Sequence, residues 1–329
     1  MKTKAVTDGA MLCALAVIFS LLSYYVPFLM IFYFFIPIPA AIAARKHGLK
    51  VAVIAGAAAT LILIFFMDIV SALTYGMYLL LAGCMVGYTY WKEQSGFYRL
   101  AAAYVAAFLT LMLSLMMFQV LSGQNFIAEF SSSIDQFTGE LQKVYSSMAA
   151  NPEMQEMLSA EQLDSAVKMV DGLGLAVKMM LPSSFLIAPF IIGWVNIVLT
   201  DKIMMRLKLR VKKLKPLSQW RLPKSLATFL ICVITFLLLS DLMGWEFIPE
   251  IYTITLTNIC YTIYSLMGIS FVFWLINRKR EKESMGLKVL TVVICFLFSW
   301  IMSLLIFVGV ADTYMNLRGL IDFNGGENR

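Results

Sequence analysis

The chain has 329 residues, 60% of them hydrophobic and 14% charged, with a formal net charge of +6 and a mean hydropathy of +0.82. Soluble domains carry about 25% charged and about 45–50% apolar residues, so a water-soluble globule has too little polar surface to cover this sequence. The apolar residues arrive in runs of about 17–25, long enough to cross a hydrocarbon core about 30 Å thick.

In chain order the runs are 9–26, 28–44, 49–67, 69–90, 100–121, 179–200, 225–243, 251–277 and 287–310. They predict an all-α, polytopic transmembrane helical bundle of about nine spans. The first run lacks a small-residue cleavage site and reads as a retained span. It carries Ala10 and Ala14 at four-residue spacing, which permits close approach of a second helix. In the second run, Pro37-Ile38-Pro39 should break the helix and free carbonyl groups that a neighbour or a cavity must satisfy. His47, the one histidine, stands alone at a span boundary, and Asp68 falls between two spans. Asp68 reads either as a helix cap in wet interface or as a ligand-binding carboxylate. Gly83 and Gly87 form a second small-residue pair in the fourth run.

The longest polar stretch is 122–178, with eight acids against three lysines. Phe126, Phe130, Ile134, Phe137, Leu141, Val144 and Met148 recur at helical spacing. Asn151-Pro152 then offers an N-cap with proline at the first helical position, and Ser159 with Gln162 a capping box. An external (extracellular) acidic helical hairpin, resting on the membrane-embedded core, is expected over 122–178. It would divide the chain into a five-span half, 1–121, and a four-span half, 179–310, followed by a short polar tail, 311–329.

Within the sixth run, Asn196 follows Trp194 by two positions, and Asn258 lies in the eighth beside Thr255 and Thr257. An amide in hydrocarbon must find a partner; it is either interhelical glue or a ligand contact. Asp241 lies near the end of the seventh run, with Glu246 and Glu250 just beyond it. The loop 201–224 is the hairpin's opposite, with nine basic residues and one acid. Leu207, Leu209, Val211 and Leu214 alternate there with Lys and Arg. Each basic side chain near an anionic leaflet contributes about 1 kcal/mol, so this loop should lie against anionic lipid headgroups. Nucleic-acid binding is not expected, because the segment abuts two spans and contains no recognised module.

Placing the N-terminus inside puts 21 of the 26 Lys and Arg residues in inner segments, as the positive-inside rule requires. Nine spans then put the C-terminus outside. An even count would return it to the inside. The expected location is the bacterial cytoplasmic membrane, multi-pass, with a cytoplasmic N-terminus.

The five cysteines lie singly in apolar runs without a C-x-x-C pair, so neither a disulfide framework nor a thiolate metal site is expected. The sequence has no phosphate-binding G-x-x-x-x-G-K-[ST] loop, no H-E-x-x-H and no paired intramembrane aspartates. No enzyme activity and no cofactor are expected, and any ATPase would come from a partner.

The segment Gln219-Trp220-Arg221-Leu222-Pro223, the opening Thr7-Asp8-Gly9-Ala10 with Leu12, Ala14 and Leu15, and the tail Leu317-Arg318 resemble the YybS family. The resemblance spans essentially the whole chain and implies a bacterial multispanning membrane protein. The front portion also looks like the S component of energy-coupling-factor transporters. In those proteins, alanines at four-residue spacing in the first helix dock onto a coupling subunit, and the ligand is held in the outer half. Carried over, this implies docking through Ala10 and Ala14, a ligand near Asp68 and Asp241, and a coupling subunit and ATPase as partners. S components have about six helices and no large external hairpin, whereas this chain has roughly three more spans. The expected function is therefore a transport-related solute-binding subunit, with Asp68, Trp194, Asn196, Asp241 and Asn258 as candidate contacts. The alternative is a structural or regulatory scaffold of the cell envelope.

Overall fold

The computed structural model describes residues 3–150, 160–244, 248–278 and 285–326. Every regular element among them is helical. The chain divides into two compact units, Met1–Leu214 and Lys215–Arg329. The boundary expected at the hairpin falls instead after Leu214, because the helix that follows the hairpin returns to pack along the fifth one.

Unit 1 opens with α1 (Thr3–Tyr25), a 3₁₀ segment (Pro27–Phe35), α2 (Ile38–His47), α3 (Leu49–Leu63), α4 (Ile69–Trp91) and α5 (Gly96–Ser122). The proline pair breaks the second span as expected, with 3₁₀ structure before Pro37 and α-helix after it. Small residues then let the helices close up. A Cβ on Gly83 would stand 2.5 Å from Ala40 Cβ, and one on Gly87 2.6 Å from Ala44 Cβ. Lipid gives no hydrophobic drive between helices, so close contact and interhelical hydrogen bonds must hold such a core. Accordingly Ala16, Ala40, Ala43, Ala52, Ala59 and Ala106 are among its buried residues.

Contacts at the two ends of unit 1 show how the chain alternates. At one end His47 Nε2 lies 2.8 Å from Asp8 Oδ2, and Arg45 pairs with Glu93 at 2.8 Å. His47, expected to be alone, thus joins the end of α2 to the start of α1. At the opposite end Tyr24 donates to Asp68 and Tyr25 to the Phe66 carbonyl.

The acidic stretch does form a helical hairpin. Its outgoing arm is α6 (Phe126–Ala150), capped by Asn125, whose Oδ1 accepts from the N–H groups of Ile127 and Ala128. Its return arm belongs to α7 (Ala160–Arg206), one continuous helix through Pro182 and Pro189. The arms run antiparallel: Lys178 pairs with Asp135 at 2.5 Å, Gly174 faces Thr138, and Gln142 donates to Asp171. The part of α7 that contains its membrane span, Ser165–Arg206, is 42 residues long, more than the apolar window within it. At 1.5 Å per residue that is about 63 Å, against a hydrocarbon core of about 30 Å. The hairpin is therefore a stalk whose return arm continues into the membrane part of α7, where a hairpin resting on the core was expected. The N-cap at Asn151-Pro152 and the capping box at Ser159 lie outside the described residues.

Unit 2 contains a 3₁₀ turn (Leu217–Gln219), α8 (Lys224–Leu242), α9 (Glu250–Arg278), α10 (Met285–Leu297), α11 (Ser299–Met315) and α12 (Leu317–Gly326). Here α9 and α11 cross at two glycines. A Cβ on Gly268 would meet the Leu305 carbonyl oxygen at 2.1 Å, and one on Gly309 the Tyr264 carbonyl oxygen at 2.3 Å.

Among the described residues, seven helices are long and apolar enough to span a membrane, or eight if a bent pair is counted as one. The difference from nine has two causes. Helix α3 has 15 residues, about 22 Å of helix. The ninth run is bent by 113° between Gly286–Cys295 and Trp300–Met315. Both ends of this pair lie against the last turns of α9: Lys288 stands over the Phe273 ring, and Arg318 donates to Ser270 and faces the Trp274 ring. Arg278 also donates to the Ile321 carbonyl at 2.7 Å. The tail thus returns to the end of unit 2 that holds residues 218–220 and Arg278, not to the opposite end that nine spans require.

Candidate functional site

Above the alanine-rich core of unit 1, tyrosines form a ladder leading inward from Asp68. Asp68 is the N-cap of α4: Oδ1 accepts from the Ser71 N–H at 2.9 Å, and Oδ2 accepts from the Tyr24 hydroxyl at 2.8 Å. These bonds, those from Ser71 foremost, hold the Asp68 carboxyl below its ordinary range. Tyr24 meets Tyr75 edge-on at 6.2 Å, Tyr75 meets Tyr33 edge-on at 5.7 Å, and Tyr33 stacks on Tyr78 at 4.6 Å with the rings 3° apart. Tyr75 and Tyr78 stand two and nearly three turns along α4 from Asp68. Tyr78 is 1% exposed, and its hydroxyl has no hydrogen-bond partner among the described residues. Such an orphan costs about 1–3 kcal/mol and is rare enough to require a reason. The ladder thus has a carboxylate at one end, aromatic rings in mutual contact between, and a hydroxyl able to donate and accept at the other.

The remaining candidates have separate locations. Asn196 is buried in α7 and donates to the Phe34 carbonyl at 2.9 Å. Phe34 precedes the proline break, so Asn196 supplies the partner that the broken helix lost; its amide is interhelical glue. Trp194 is half-buried on the same helix. In unit 2, Asp241 is exposed in the last turn of α8, and Asn258 is half-buried in α9. Ala10 and Ala14 are both exposed on α1. Glu246 lies outside the described residues. Among the described residues, no three His, Cys, Asp or Glu side chains are grouped to hold a metal.

Two buried arginine–aspartate pairs were not anticipated. In unit 1, Asp201 accepts from the Tyr90 hydroxyl at 2.6 Å and from the Leu214 N–H at 3.0 Å, with Arg99 3.5 Å away. Arg99 is 1% exposed, donates to the carbonyls of Gln94 and Lys212, and lies over the Tyr90 ring at 4.7 Å. This network fixes the first part of the basic stretch. Leu209, Val211 and Leu214 pack into unit 1, while Lys208, Arg210, Lys212 and Lys213 are exposed. Three of the four alternating apolar residues are thus held by protein, while Leu207 is 44% exposed. In unit 2, Arg318 is 2% exposed. It donates from Nε to Asp312 at 2.8 Å, from Nη1 to the Ser218 carbonyl at 2.7 Å, and from Nη2 to Ser270 Oγ at 2.9 Å and the Trp220 carbonyl at 3.3 Å. Burial lowers the Arg318 guanidinium from its ordinary value, and Asp312 opposes that shift. One signal was available beforehand: Asp201 is the single acid in the basic stretch.

Beside this second pair lies a cavity of about 310 Å³, lined by Arg221, Leu222, Lys224, Met267, Asp312, Thr313 and Asn316. Arg221 donates to Asn316 Oδ1 at 3.1 Å, and Asn316 holds a left-handed backbone with φ 48°. The Trp220–Pro223 segment and the Leu317-Arg318 tail, distant in sequence, meet here.

The chain is similar along its length to a protein of Bacillus subtilis (strain 168) named "Uncharacterized protein YybS", with 24% identity over 97% of this chain and 99% of that protein. No solved structure matches the fold. A family model described as "Predicted membrane protein (DUF2232)" matches residues 14–313, and the chain belongs to that family of bacterial multi-pass membrane proteins.

Proposed function

We propose that unit 1 is a non-catalytic solute-binding subunit of a membrane transporter, taking a small planar or cationic solute between Asp68 and Tyr78. The observation that carries this reading is the buried Tyr78 hydroxyl without a protein partner at the inner end of a tyrosine ladder that begins on a carboxylate. Two further features support it. Among the described residues unit 1 has five helices long and apolar enough to cross a membrane and the shorter apolar helix α3, close to the about six helices that the resemblance to S components implies. Ala10 and Ala14 face outward on α1, free of the unit's own core, where a coupling subunit bearing its own ATPase would dock. The basic end of unit 1 is set toward the cytoplasm, placing the N-terminus inside, the hairpin stalk outside and the exposed cations of 201–224 at the anionic leaflet of the bacterial cytoplasmic membrane.

The purified full chain, screened by thermal shift against vitamins, aromatic amines, metal ions and small metabolites, should be stabilised by one class of solute. Tyr78→Phe and Asp68→Asn should abolish that shift while retaining the fold. No stabilisation by any solute, together with no ATPase or coupling subunit recovered by crosslinking from native membranes, would sink the proposal. An envelope scaffold is the second reading, favoured by the acidic stalk, on which Phe137 and Val144 are exposed. Deleting 122–178 separates the two: a scaffold loses a protein partner and a transport subunit loses solute binding.

A further inference from the structure

We infer that the unit 2 cavity is a binding site for a phosphate group carried by an anionic lipid headgroup or a soluble phosphate compound. The cavity, about 310 Å³, lies within the size range of small-ligand pockets, about 300–1,000 Å³. Its charge is set by three observations. Asp312, the one carboxylate on the wall, is neutralised by Arg318 at 2.8 Å. Arg221 and Lys224 are exposed at the same wall, leaving two positive charges unmatched by any acid that lines it. Arg221 is oriented by Asn316 Oδ1, which uses one guanidinium N–H and leaves others for a bidentate contact with phosphate oxygens.

The backbone adds to this. Pro223 caps α8 without a side-chain bond, so the first N–H groups of that helix lack a side-chain acceptor beside Lys224. Asn316, the left-handed C-cap of α11, a position that asparagine can take, brings its side chain to the same wall. Leu222 and Met267 give the cavity an apolar side, and Leu226 and Phe229 on the first turns of α8 are 44% and 63% exposed. An acyl chain attached to the phosphate would lie along that surface. The site thus differs from the diffuse attraction of the exposed cations Lys208 to Lys213, none of which lines this cavity.

The full chain in detergent should be examined by native mass spectrometry with phosphatidylglycerol or phosphatidylcholine, and by thermal shift with inorganic phosphate or glycerol phosphate. One phosphatidylglycerol should be retained in preference to phosphatidylcholine, and Arg221→Gln with Lys224→Gln should weaken its retention about tenfold or more. The control is Arg210→Gln with Lys213→Gln, which removes the same charge outside the cavity and should leave retention unchanged. If the lipids do not differ but the soluble phosphates stabilise wild type and not the cavity variant, the site stands with a soluble ligand. Equal loss in cavity and control variants, or no response to any of the four probes, overturns it. The Arg221→Lys variant, which keeps the charge and loses the fork, guards against misfolding and should bind at an intermediate level.

Discussion

The two buried arginine–aspartate pairs have the same chemistry and opposite wiring. In unit 1 the carboxylate is the hub: Asp201 gathers Tyr90, Leu214 and Arg99, and the Arg99 Nε has no partner. In unit 2 the guanidinium is the hub: Arg318 spends Nε, Nη1 and Nη2 on Asp312, two carbonyls and Ser270. One ties the segment ending at Leu214 to α4 and α5, and the other ties residues 218–220 to α9 and the tail. The difference shows which atom each unit depends on, since a buried ion left without its partner costs more than the pair contributes.

That dependence can be broken on either side. Asp201→Ala strands Arg99 at 1% exposure, and the expected loss is about 3–5 kcal/mol, read by chemical denaturation in mild detergent. Arg99→Met combined with Asp201→Leu removes both ions and should recover most of it. If the double variant is no more stable than Asp201→Ala, carboxylate–guanidinium pairing is not what holds the segment.

In unit 2 the matched change is Arg318→Lys. Charge is kept, but an ammonium cannot reach four acceptors spread along a planar fork. Loss of two or three charge-assisted bonds, at about 1.5–3 kcal/mol each before relaxation, should give a net cost of about 2–3 kcal/mol and expose Trp220 to a collisional quencher. Unchanged quenching would show that the tail is held by apolar contact alone.

Asn196→Leu probes a neutral version of the same device, a side chain satisfying a carbonyl released by a backbone break. Interhelical bonds of this kind contribute about 0.6 kcal/mol on average, with a maximum near about 1.7. A loss of about 1 kcal/mol, smaller than either ion-pair effect, is expected by thermal denaturation. An effect as large as that of Asp201→Ala would mean that the Asn196–Phe34 bond organises unit 1 more than the ion pair does.

How much of this was legible follows from the range of each interaction. The Pro37–Pro39 break, the Gly83 and Gly87 contact and the two-arm hairpin depend on local geometry or helical spacing, and a single sequence carries those. The count of spans was not legible, because apolar composition does not distinguish a straight crossing from the bent pair Gly286–Cys295 and Trp300–Met315. The ion pairs join residues 102 and 6 positions apart. Arg99 and Arg318 read as ordinary boundary cations until the fold placed an aspartate against each. The Asp68 carboxylate was singled out, but the tyrosines that give it a context lie on three elements and carry no shared spacing.

Asp68 offers the smallest effect and the most local readout. Its carboxyl is held below the ordinary range by Ser71 first and Tyr24 next. The ionised form is thus the one that caps α4. A group whose folded value is depressed contributes stability above its unfolded value, about 3.9 for aspartate, and loses it as pH falls through the folded value. The first turn of α4 should therefore keep its protection from pH 7 down to the ordinary carboxyl range, then open as acid protonates Asp68. Hydrogen exchange at Ser71 and Ala72 reads this directly, since Ser71 N–H donates to Asp68 Oδ1 and Ala72 N–H to its carbonyl. Asp68→Asn keeps an acceptor at the cap and should flatten the acid dependence while leaving neutral-pH protection nearly unchanged. Should acid opening persist in Asp68→Asn, the titrating group is elsewhere and the Tyr24–Asp68 bond is not the latch at the outer end of the ladder.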